Sequence, residues 1–410
     1  MKSFKRIVGT IVLGLCVCSS HSVSADSPSP PQTQLKSFAL PKDTQSADIS
    51  PDEQFVATVS TQKKDQSDST ANPYWDFVQL WNLKDEQLVS EFSEHSPDTH
   101  IFTSSRSGNI AYPPHGLRIV RFSSDGKTVL ALIGHTIHLL RPRDLSEMRS
   151  IRLQKPDDIS QTNHGKTRMI DYDLHSAELS PNGDLFAVLW VAEKHGRVQL
   201  FELSTGNVVS SWDVPTGWLG YAGSLKWHPN GTLILIPIPN SQPCRYATHQ
   251  PDVFAFDIKS GDLRYQLTTD LQIGNIAVTP DSRVLAVQRG CFQLSNGAGR
   301  PLEVFDLSTR KHLQNVSGRA TGVLYSVSIS ADGSRFIAFT GNVRRKYDFL
   351  DATSYGVTVD ETFSVWNLTN YDGIVTSQNV PGLRDSDLKL SSSGKYAVST
   401  GKAAFVFALP

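Results

Sequence analysis

AELSPNGDLFAVLWVAEKHGRVQLFELSTGNVVSSW, residues 177–212, is the clearest copy of a unit that recurs along this chain of 410 residues. An apolar strand leads into the turn 180–183 (SPNG), and a second apolar strand, an alternating strand, the turn 204–206 (STG) and a last strand follow. A fixed repeat of strand hairpins is the signature of a propeller or a solenoid. The stretch therefore predicts an all-β repeat fold.

The turn between the first two strands of the unit recurs along the chain. Proline sets the backbone of the first turn position, Asp or Asn caps the turn with its side chain, and glycine accepts the left-handed conformation that closes it. The seven copies are Ser50-Pro51-Asp52-Glu53, Ser123-Ser124-Asp125-Gly126, Ser180-Pro181-Asn182-Gly183, His228-Pro229-Asn230-Gly231, Thr279-Pro280-Asp281-Ser282, Ser330-Ala331-Asp332-Gly333 and Ser391-Ser392-Ser393-Gly394. They predict seven blades.

The ends of the chain predict how the fold closes. The seventh copy ends at Pro410 with only three strands, whereas the segment from Leu35 to Leu40 (LKSFAL) has strand character and precedes the first copy. Pairing the two would complete the last sheet and leave only short, protected sheet edges. We therefore expect an all-β, seven-bladed β-propeller with four-stranded antiparallel blades, in which an N-terminal strand completes the last blade and closes the ring.

The third strand of the unit carries a second landmark. It reads Trp81-Asn82, Phe256-Asp257, Phe305-Asp306 or Trp366-Asn367 at equivalent positions. Together with the SPDG-type turn, this pattern resembles the WD40-like seven-bladed β-propellers of bacterial exported proteins, which carry a Trp-Asp pair there. The resemblance covers roughly residues 35–410.

This chain departs from the WD40 pattern in one respect. The Gly-His pair that usually opens a WD40 repeat is missing before each first strand. The buried His-Asp-Ser-Trp network of the family is therefore not expected, and apolar packing between blades should stabilise the fold instead.

The N-terminus has the features of an export signal. Lys2, Lys5 and Arg6 precede an apolar run, and residues 23–25 (VSA) form a small-residue cleavage site. The apolar run is too short to span a bilayer, which takes about 20 residues. We expect a signal peptide over 1–25, a proline-rich tether over 26–34 and the propeller domain over 35–410. The mature protein is then secreted into the periplasm or the extracellular space, with lipidation at Cys16 or Cys18 as a weaker alternative.

Charge and hydropathy exclude two classes of partner. The chain carries 39 Lys and Arg residues against 40 Asp and Glu residues, and it contains no basic block. This balance argues against nucleic acid. Every apolar run after the signal has the length of a strand, so we expect no integral membrane segment once the signal is cleaved.

Two cysteines remain in the mature chain. An even number of cysteines in an exported protein suggests a disulfide. Cys244 and Cys291 fall in the long loops of adjacent blades, so a bond between them would join neighbouring loops. Two buried free thiols are the alternative.

Unequal loop lengths predict a binding face. The long connections from the second to the third strand are residues 61–77, 240–252, 289–301 and 341–361, and those between blades are residues 93–118, 154–176 and 214–224. Both sets of long connections lie on the same face of an up-and-down propeller. Long loops on a rigid scaffold are where recognition usually occurs, and aromatic residues and Arg dominate interface hot spots. The candidate partner-binding residues are Tyr74, Trp75, Arg245, Tyr246, Phe292, Arg344, Arg345 and Tyr347. Small clusters of aromatic residues folded back on the loops are the alternative.

The sequence contains no catalytic motif. There is no nucleophile elbow, P-loop or dinucleotide fingerprint, and the close pair His135 and His138 is more typical of strand and turn histidines than of a metal site. We therefore predict no catalytic residues, metal or cofactor.

The function we expect is that of a non-enzymatic scaffold that binds a protein or another extracytoplasmic ligand through the long-loop face. Two alternatives remain. One is a propeller enzyme of the lactonase or quinone-dependent dehydrogenase type, and the other is a structural subunit of an envelope assembly.

Overall fold

The computed structural model describes residues 36–409, apart from 64–73, 96–116, 158, 164–165, 171, 193–194, 216–223, 239–250, 269–272, 289–301, 317–322, 332, 349–352, 368–373, 380–387 and 402–403. The described part of the chain contains no helix of the length and hydrophobicity needed to cross a bilayer.

The described strands form seven four-stranded antiparallel sheets and one two-stranded sheet. Sheet 1 contains β2 (Thr44–Ile49), β3 (Phe55–Lys63), β4 (Tyr74–Asn82) and β5 (Leu88–His95). Sheet 2 contains β6 (Arg118–Phe122), β7 (Val129–Ile133), β8 (Thr136–Leu140) and β9 (Glu147–Arg152), and the two-stranded sheet contains β10 (Ile159–Asn163) and β11 (Lys166–Ile170). Sheet 3 contains β12 (Asp173–Leu179), β13 (Leu185–Ala192), β14 (His195–Glu202) and β15 (Val208–Pro215).

The second half of the chain continues the same order. Sheet 4 contains β16 (Lys226–Trp227), β17 (Leu233–Pro237), β18 (Pro251–Asp257) and β19 (Leu263–Thr268). Sheet 5 contains β20 (Ile273–Val278), β21 (Arg283–Gln288), β22 (Leu302–Asp306) and β23 (Lys311–Val316), and sheet 6 contains β24 (Val323–Ile329), β25 (Arg335–Asp348), β26 (Thr353–Asn367) and β27 (Ile374–Asn379). Sheet 7 contains β28 (Leu388–Leu390), β29 (Tyr396–Ser399), β30 (Phe405–Ala408) and β1 (Ser37–Ala39).

Four-stranded antiparallel sheets of this kind are the blades of an all-β propeller. In sheets 1–6 the strands lie side by side in chain order. Apart from sheets 2 and 3, which the apolar cluster described below joins, the first strand of a sheet lies next to the first strand of its neighbour, as β2 does with β6 and with β28. The first strands therefore surround a central channel, and the fourth strands lie at the periphery.

Apolar side chains fill the spaces between the sheets. Between sheets 2 and 3, Ile137 packs with Phe186 and Trp190, all three of them fully buried. Comparable clusters lie between sheets 1 and 2, 3 and 4, 4 and 5, 6 and 7, and 7 and 1. The expected apolar packing between blades is therefore present.

The predicted pairing of the N-terminal strand with the last sheet is confirmed. Strand β1 pairs antiparallel with β30, so that Phe38 lies opposite Val406. The backbone N–H of Leu40 donates to Ala404 at 2.9 Å. Leu40 is buried in the cluster between sheets 7 and 1. The two ends of the chain therefore build one blade together.

The repeated turns have the predicted conformation. In the turn of sheet 3, Gly183 has a φ of +79° and its N–H donates to the carbonyl of Ser180. The hydroxyl of Ser180 donates to Asn182 at 2.7 Å and accepts the N–H of Leu185 at 2.9 Å. This network explains why the Ser, Asn and Gly positions recur. Glu53 adopts the same left-handed conformation without glycine, at a φ of +56°.

Two of the expected long loops are partly strands. The segment 341–361 was expected to be a loop, but β25 and β26 continue through it as a hairpin as far as the pair Asp348 and Thr353. The segment 154–176 contains the hairpin of β10 and β11. The β-branched and aromatic residues of 353–359 (TSYGVTV) favour strand over loop.

Candidate functional site

A ring of seven residues, five of them charged, surrounds the central channel. Each first strand places one residue two positions before the Ser, Thr or His that begins the tight turn. In chain order these residues are Asp48, Arg121, Glu178, Lys226, Ala277, Ser328 and Lys389. We call this set the charge ring. It lies near the end of the channel at which the tight turns lie, because the turns follow these strands directly.

Glu178 contacts three cationic members of the charge ring. Its carboxylate lies 3.3 Å from Nε of Arg121, 3.2 Å from Nζ of Lys226 and 4.0 Å from Nζ of Lys389. Nζ of Lys389 also lies 3.5 Å from Asp48. The Glu178 side chain is only 17% exposed. The ring thus holds three cationic side chains against two carboxylates.

Burial and the neighbouring charges shift the pKa values of two ring residues. Burial alone would raise the pKa of Glu178, but the cations Arg121, Lys226 and Lys389 outweigh it and hold that pKa far below its ordinary value. Burial lowers the pKa of Lys389, and the charges of Arg121 and Lys226 add to the effect, while Asp48 and Glu178 oppose it. The charged form of Glu178 is therefore strongly favoured, whereas the charged form of Lys389 is less favoured than that of a lysine in water.

A layer of serines on the same strands connects neighbouring blades. The hydroxyl of Ser176 in sheet 3 accepts the N–H of Leu225 at the start of sheet 4, at 3.1 Å. Ser46 and Ser326 accept the equivalent N–H groups of the next sheets, at 3.2 and 3.0 Å. These bonds satisfy backbone donors that face another sheet, so polar contacts reinforce the apolar packing between blades.

Residues of the serine layer and of the charge ring line a cavity of about 130 Å³. Its lining includes Ser46, Ser176, Ser224, Ser326, Arg118, Arg121, His175, Glu178, Lys226 and Lys389. The cavity thus offers hydroxyl groups on its walls and cations at one end. It continues from the charge ring toward the long-loop end of the channel, since the serines lie two residues earlier on the same strands.

A buried ion pair lies beside this cavity. Arg118 contacts Asp76 through Nε at 2.6 Å and Nη2 at 3.0 Å, and neither side chain is exposed. The hydroxyl of Thr61 also donates to Asp76, at 2.5 Å. Asp76 directly follows the predicted partner-binding residues Tyr74 and Trp75 on β4. The ion pair of Asp76 and Arg118 therefore connects the long-loop face of sheet 1 to the wall of the channel.

The structure places five of the predicted partner-binding residues on strands at one face. Tyr74 and Trp75 lie at the start of β4, where the ring of Trp75 packs edge-on against His95 with centroids 5.5 Å apart. Arg344, Arg345 and Tyr347 lie on β25. In both sheets these positions flank the connection from the second to the third strand, so the topology puts them at the same face.

The other predicted residues lie outside the described part of the chain. These are Arg245, Tyr246 and Phe292, together with both cysteines of the predicted disulfide, Cys244 and Cys291.

The two histidines of the close pair pack against different neighbouring sheets. His135 packs edge-on against Trp190 of sheet 3, with centroids 5.4 Å apart. His138 instead lies between Glu147 of its own sheet, 2.6 Å from Nδ1, and Glu94 of sheet 1, 3.2 Å from Nε2. Burial opposes the charge on His138, but the hydrogen bonds to the two carboxylates outweigh it and raise its pKa.

Sequence reasoning missed the charge ring. Successive members are 48 to 73 residues apart in the chain, and each charged member alone resembles an ordinary polar strand residue. The signal was present in the register of the repeat: the position two residues before each turn reads D, R, E, K, A, S and K. Aligning the copies on their turns and comparing charge column by column would have found it.

No protein-family model matches the chain, and no curated protein is significantly similar to it.

Proposed function

We propose that this protein is an exported, seven-bladed propeller of the WD40-like type that binds a protein partner through its long-loop face and catalyses no reaction. The residues of sheet 6 support the proposal best. There, β25 and β26 extend well beyond the other two strands of their blade. We call this extension, residues 342–348 and 353–360, the arm.

The pairing registers define the arm. Strand β24 pairs with β25 only as far as Gly341, and β27 pairs with β26 only as far as Thr362. Between these limits and the pair Asp348 and Thr353, the two strands pair with each other alone among the described strands. Among the strands that the structure describes, none pairs with the outer backbone edges of the arm.

Unpaired strand edges are templates for the addition of an extended peptide. The arm carries Arg344, Arg345 and Lys346 in succession on β25. A run of basic residues steers and orients acidic partners. The partner class that we propose is therefore a protein with an extended, acidic segment, which would add to the edge of the arm.

The remaining parts of the proposal concern architecture and compartment. All seven sheets form one closed ring, which is supported by the contacts between successive sheets and by the packing of sheet 7 on sheet 1. Residues 1–25 direct export to the periplasm or the extracellular space and are removed, and a disulfide joins Cys244 to Cys291 in the oxidising compartment.

The experiment compares capture of partners by the intact protein and by an arm variant, from the extracytoplasmic fraction of the native host. In the variant, residues 343–359 are replaced by Asn-Gly, which closes a two-residue hairpin. The matched control is Lys127→Ala in a tight turn, where the side chain is 81% exposed.

We expect a partner that is captured by the intact protein and by the control, and lost by an arm variant of unchanged melting temperature. Capture that is equally strong with and without the arm would contradict the proposed site. A partner whose bound segment is not acidic would contradict the proposed partner class.

A further inference from the structure

We infer that His138 is a pH-sensitive clamp between sheets 1 and 2, which holds the end of β5, and with it the contact of His95 with Trp75, only while its imidazole is protonated. The inference concerns the long-loop end of sheet 1 and does not depend on the partner proposed for the arm. It follows from the positions of two carboxylates around one buried ring.

The imidazole of His138 lies between carboxylates of two different sheets, and its side chain is only 5% exposed. Nδ1 lies 2.6 Å from Glu147 on β9 of its own sheet, and Nε2 lies 3.2 Å from Glu94 on β5 of sheet 1. The ring of Phe92, also on β5, packs against the imidazole with centroids 5.1 Å apart. Because successive residues of a strand alternate between its faces, Phe92 and Glu94 project from the same face of β5. One face of β5 therefore supplies both contacts with His138.

The protonation of the ring decides how many of these contacts are favourable. An imidazolium has an N–H on each nitrogen and can donate to both carboxylates, whereas neutral imidazole has one N–H and one lone pair. We expect the neutral ring to keep the hydrogen on Nδ1, because the contact with Glu147 is the shorter one. Nε2 would then present its lone pair to the carboxylate of Glu94. Loss of the proton therefore turns the contact between the two sheets from attractive to repulsive.

Three other charged groups lie on the neighbouring strands. Arg152 lies on β9 two residues beyond the position opposite His138. Asp76 of β4 lies opposite Glu94 in the ladder of sheet 1 and forms the buried ion pair with Arg118 of β6. Burial opposes the charge on His138, but the two carboxylates that contact it outweigh burial and raise its pKa. The clamp is therefore closed below the ordinary histidine pKa of about 6.5 and opens as the pH rises through the raised value.

The end of β5 also carries a contact of the predicted partner-binding face. His95 directly follows Glu94, and its ring packs edge-on against Trp75 with centroids 5.5 Å apart. The Glu94 side chain is 29% exposed, so it can turn toward solvent when the contact with His138 is lost. In the described part of the chain, β5 is the outer strand of sheet 1 and pairs only with β4. Release of Glu94 therefore loosens the strand end that places His95 against Trp75.

The test is amide hydrogen exchange of residues 92–95, measured by mass spectrometry at pH 6 and pH 8. Exchange is expressed as protection relative to the rate of an unstructured peptide at the same pH. NMR of histidine-labelled protein follows the titration of His138, whose signal is identified by its absence from His138→Gln. This pair of measurements compares the state of the strand end with the charge on the ring.

Three variants locate the cause. His138→Gln introduces the residue type that sheets 1 and 3 have at the equivalent position, Gln79 and Gln199. Glu94→Gln keeps a side chain that can donate an N–H to neutral imidazole. Glu91→Gln is the matched control, because Glu91 lies on the same strand but accepts a hydrogen bond from Gln79.

We expect the protection of residues 92–95 to be about fivefold lower at pH 8 than at pH 6 in the wild type and in Glu91→Gln, an effect of the size typical of a partly exposed ion pair. The step should follow the titration of His138 and be absent from His138→Gln and Glu94→Gln. Glu94→Gln, on an outer strand, keeps the test decisive if His138→Gln folds poorly.

Four results would overturn the inference. The first is wild-type protection that does not change between pH 6 and pH 8. The second is a step that persists in Glu94→Gln, and the third is one that persists in His138→Gln, which would assign it to another group such as His95. The fourth is a step that Glu91→Gln also removes, which would show a general effect of charge on β5.

Discussion

Removal of the strand that joins the two ends of the chain should destabilise the whole domain. Deletion of residues 36–40 removes β1, which pairs with β30 over three residues, and it removes the buried side chain of Leu40. Loss of a buried Leu costs about 2–4 kcal/mol. Two backbone hydrogen bonds that flank the β1–β30 ladder, from Leu40 to Ala404 and from Ala408 to Lys36, add about 1 kcal/mol each, and the bonds within the ladder add to this. The expected loss is therefore at least about 5 kcal/mol.

This loss translates into a moderate change of melting temperature, because the domain is large. At about 2 cal/mol/K per residue, the entropy of unfolding of the whole domain is about 0.8 kcal/mol/K, so 5 kcal/mol corresponds to about 6 °C. Differential scanning calorimetry measures this shift. Leu40→Ala should give about half of it, and deletion of residues 26–34, the tether, should give none. An unchanged melting temperature after deletion of 36–40 would refute the closure of the last blade by β1.

Three further predictions concern single residues. Gly261→Ala should lower the free energy of unfolding by about 2–4 kcal/mol in urea titrations, because Gly261 has a φ of +74° and its new Cβ would lie 2.8 Å from a tryptophan of sheet 3. Gly183→Ala, at a φ of +79° with nothing within 4 Å, is the matched control and should cost only about 1–2 kcal/mol. The raised pKa of His138 means that its contribution to stability is complete below the unfolded value of about 6.5 and is lost as the pH rises through the folded pKa. The wild-type melting temperature should therefore fall between pH 6 and pH 8 by an amount that His138→Gln removes, and an equal fall in the variant would exclude this histidine as the cause. Glu178→Gln should cost about 3 kcal/mol by leaving three cations around an uncharged group, and a second change, Lys389→Met, should restore part of that loss in a double-mutant cycle. Because the pKa of Glu178 is lowered, its contribution is present above the unfolded value of about 4.3 and should be lost as the pH falls below it, which acid titrations of the wild type and Glu178→Gln would compare.

Local chemistry allowed much of the fold to be predicted. The turn at residues 180–183 uses Ser, Pro, Asn and Gly for reasons that depend only on neighbouring atoms, and the structure contains the hydrogen bonds that those residue types imply. Counting strands in the last copy was sufficient to predict the pairing of β1 with β30.

The candidate site could not be predicted in the same way, because its contacts are made across the channel. Nothing near Glu178 in the sequence indicates that Arg121, Lys226 and Lys389 surround it. The hydroxyl of Ser176 bonds to a residue 49 positions away. The arm was mistaken for a loop because its length departs from the repeat, although its residue types favour strand.

The pairing of β1 with β30 also has a consequence for synthesis. Residues 37–39 are among the first of the domain to leave the ribosome, whereas their partners, residues 405–407, are among the last. Contacts between residues so distant in the chain form slowly, because the closure of a long loop costs entropy before the contact can form. Until the final residues arrive, the last sheet lacks its outer strands and β1 lacks a partner. The last blade therefore forms only after residues 405–407 have been synthesised, and a product terminated before them would retain an open strand edge that chaperones and proteases can recognise.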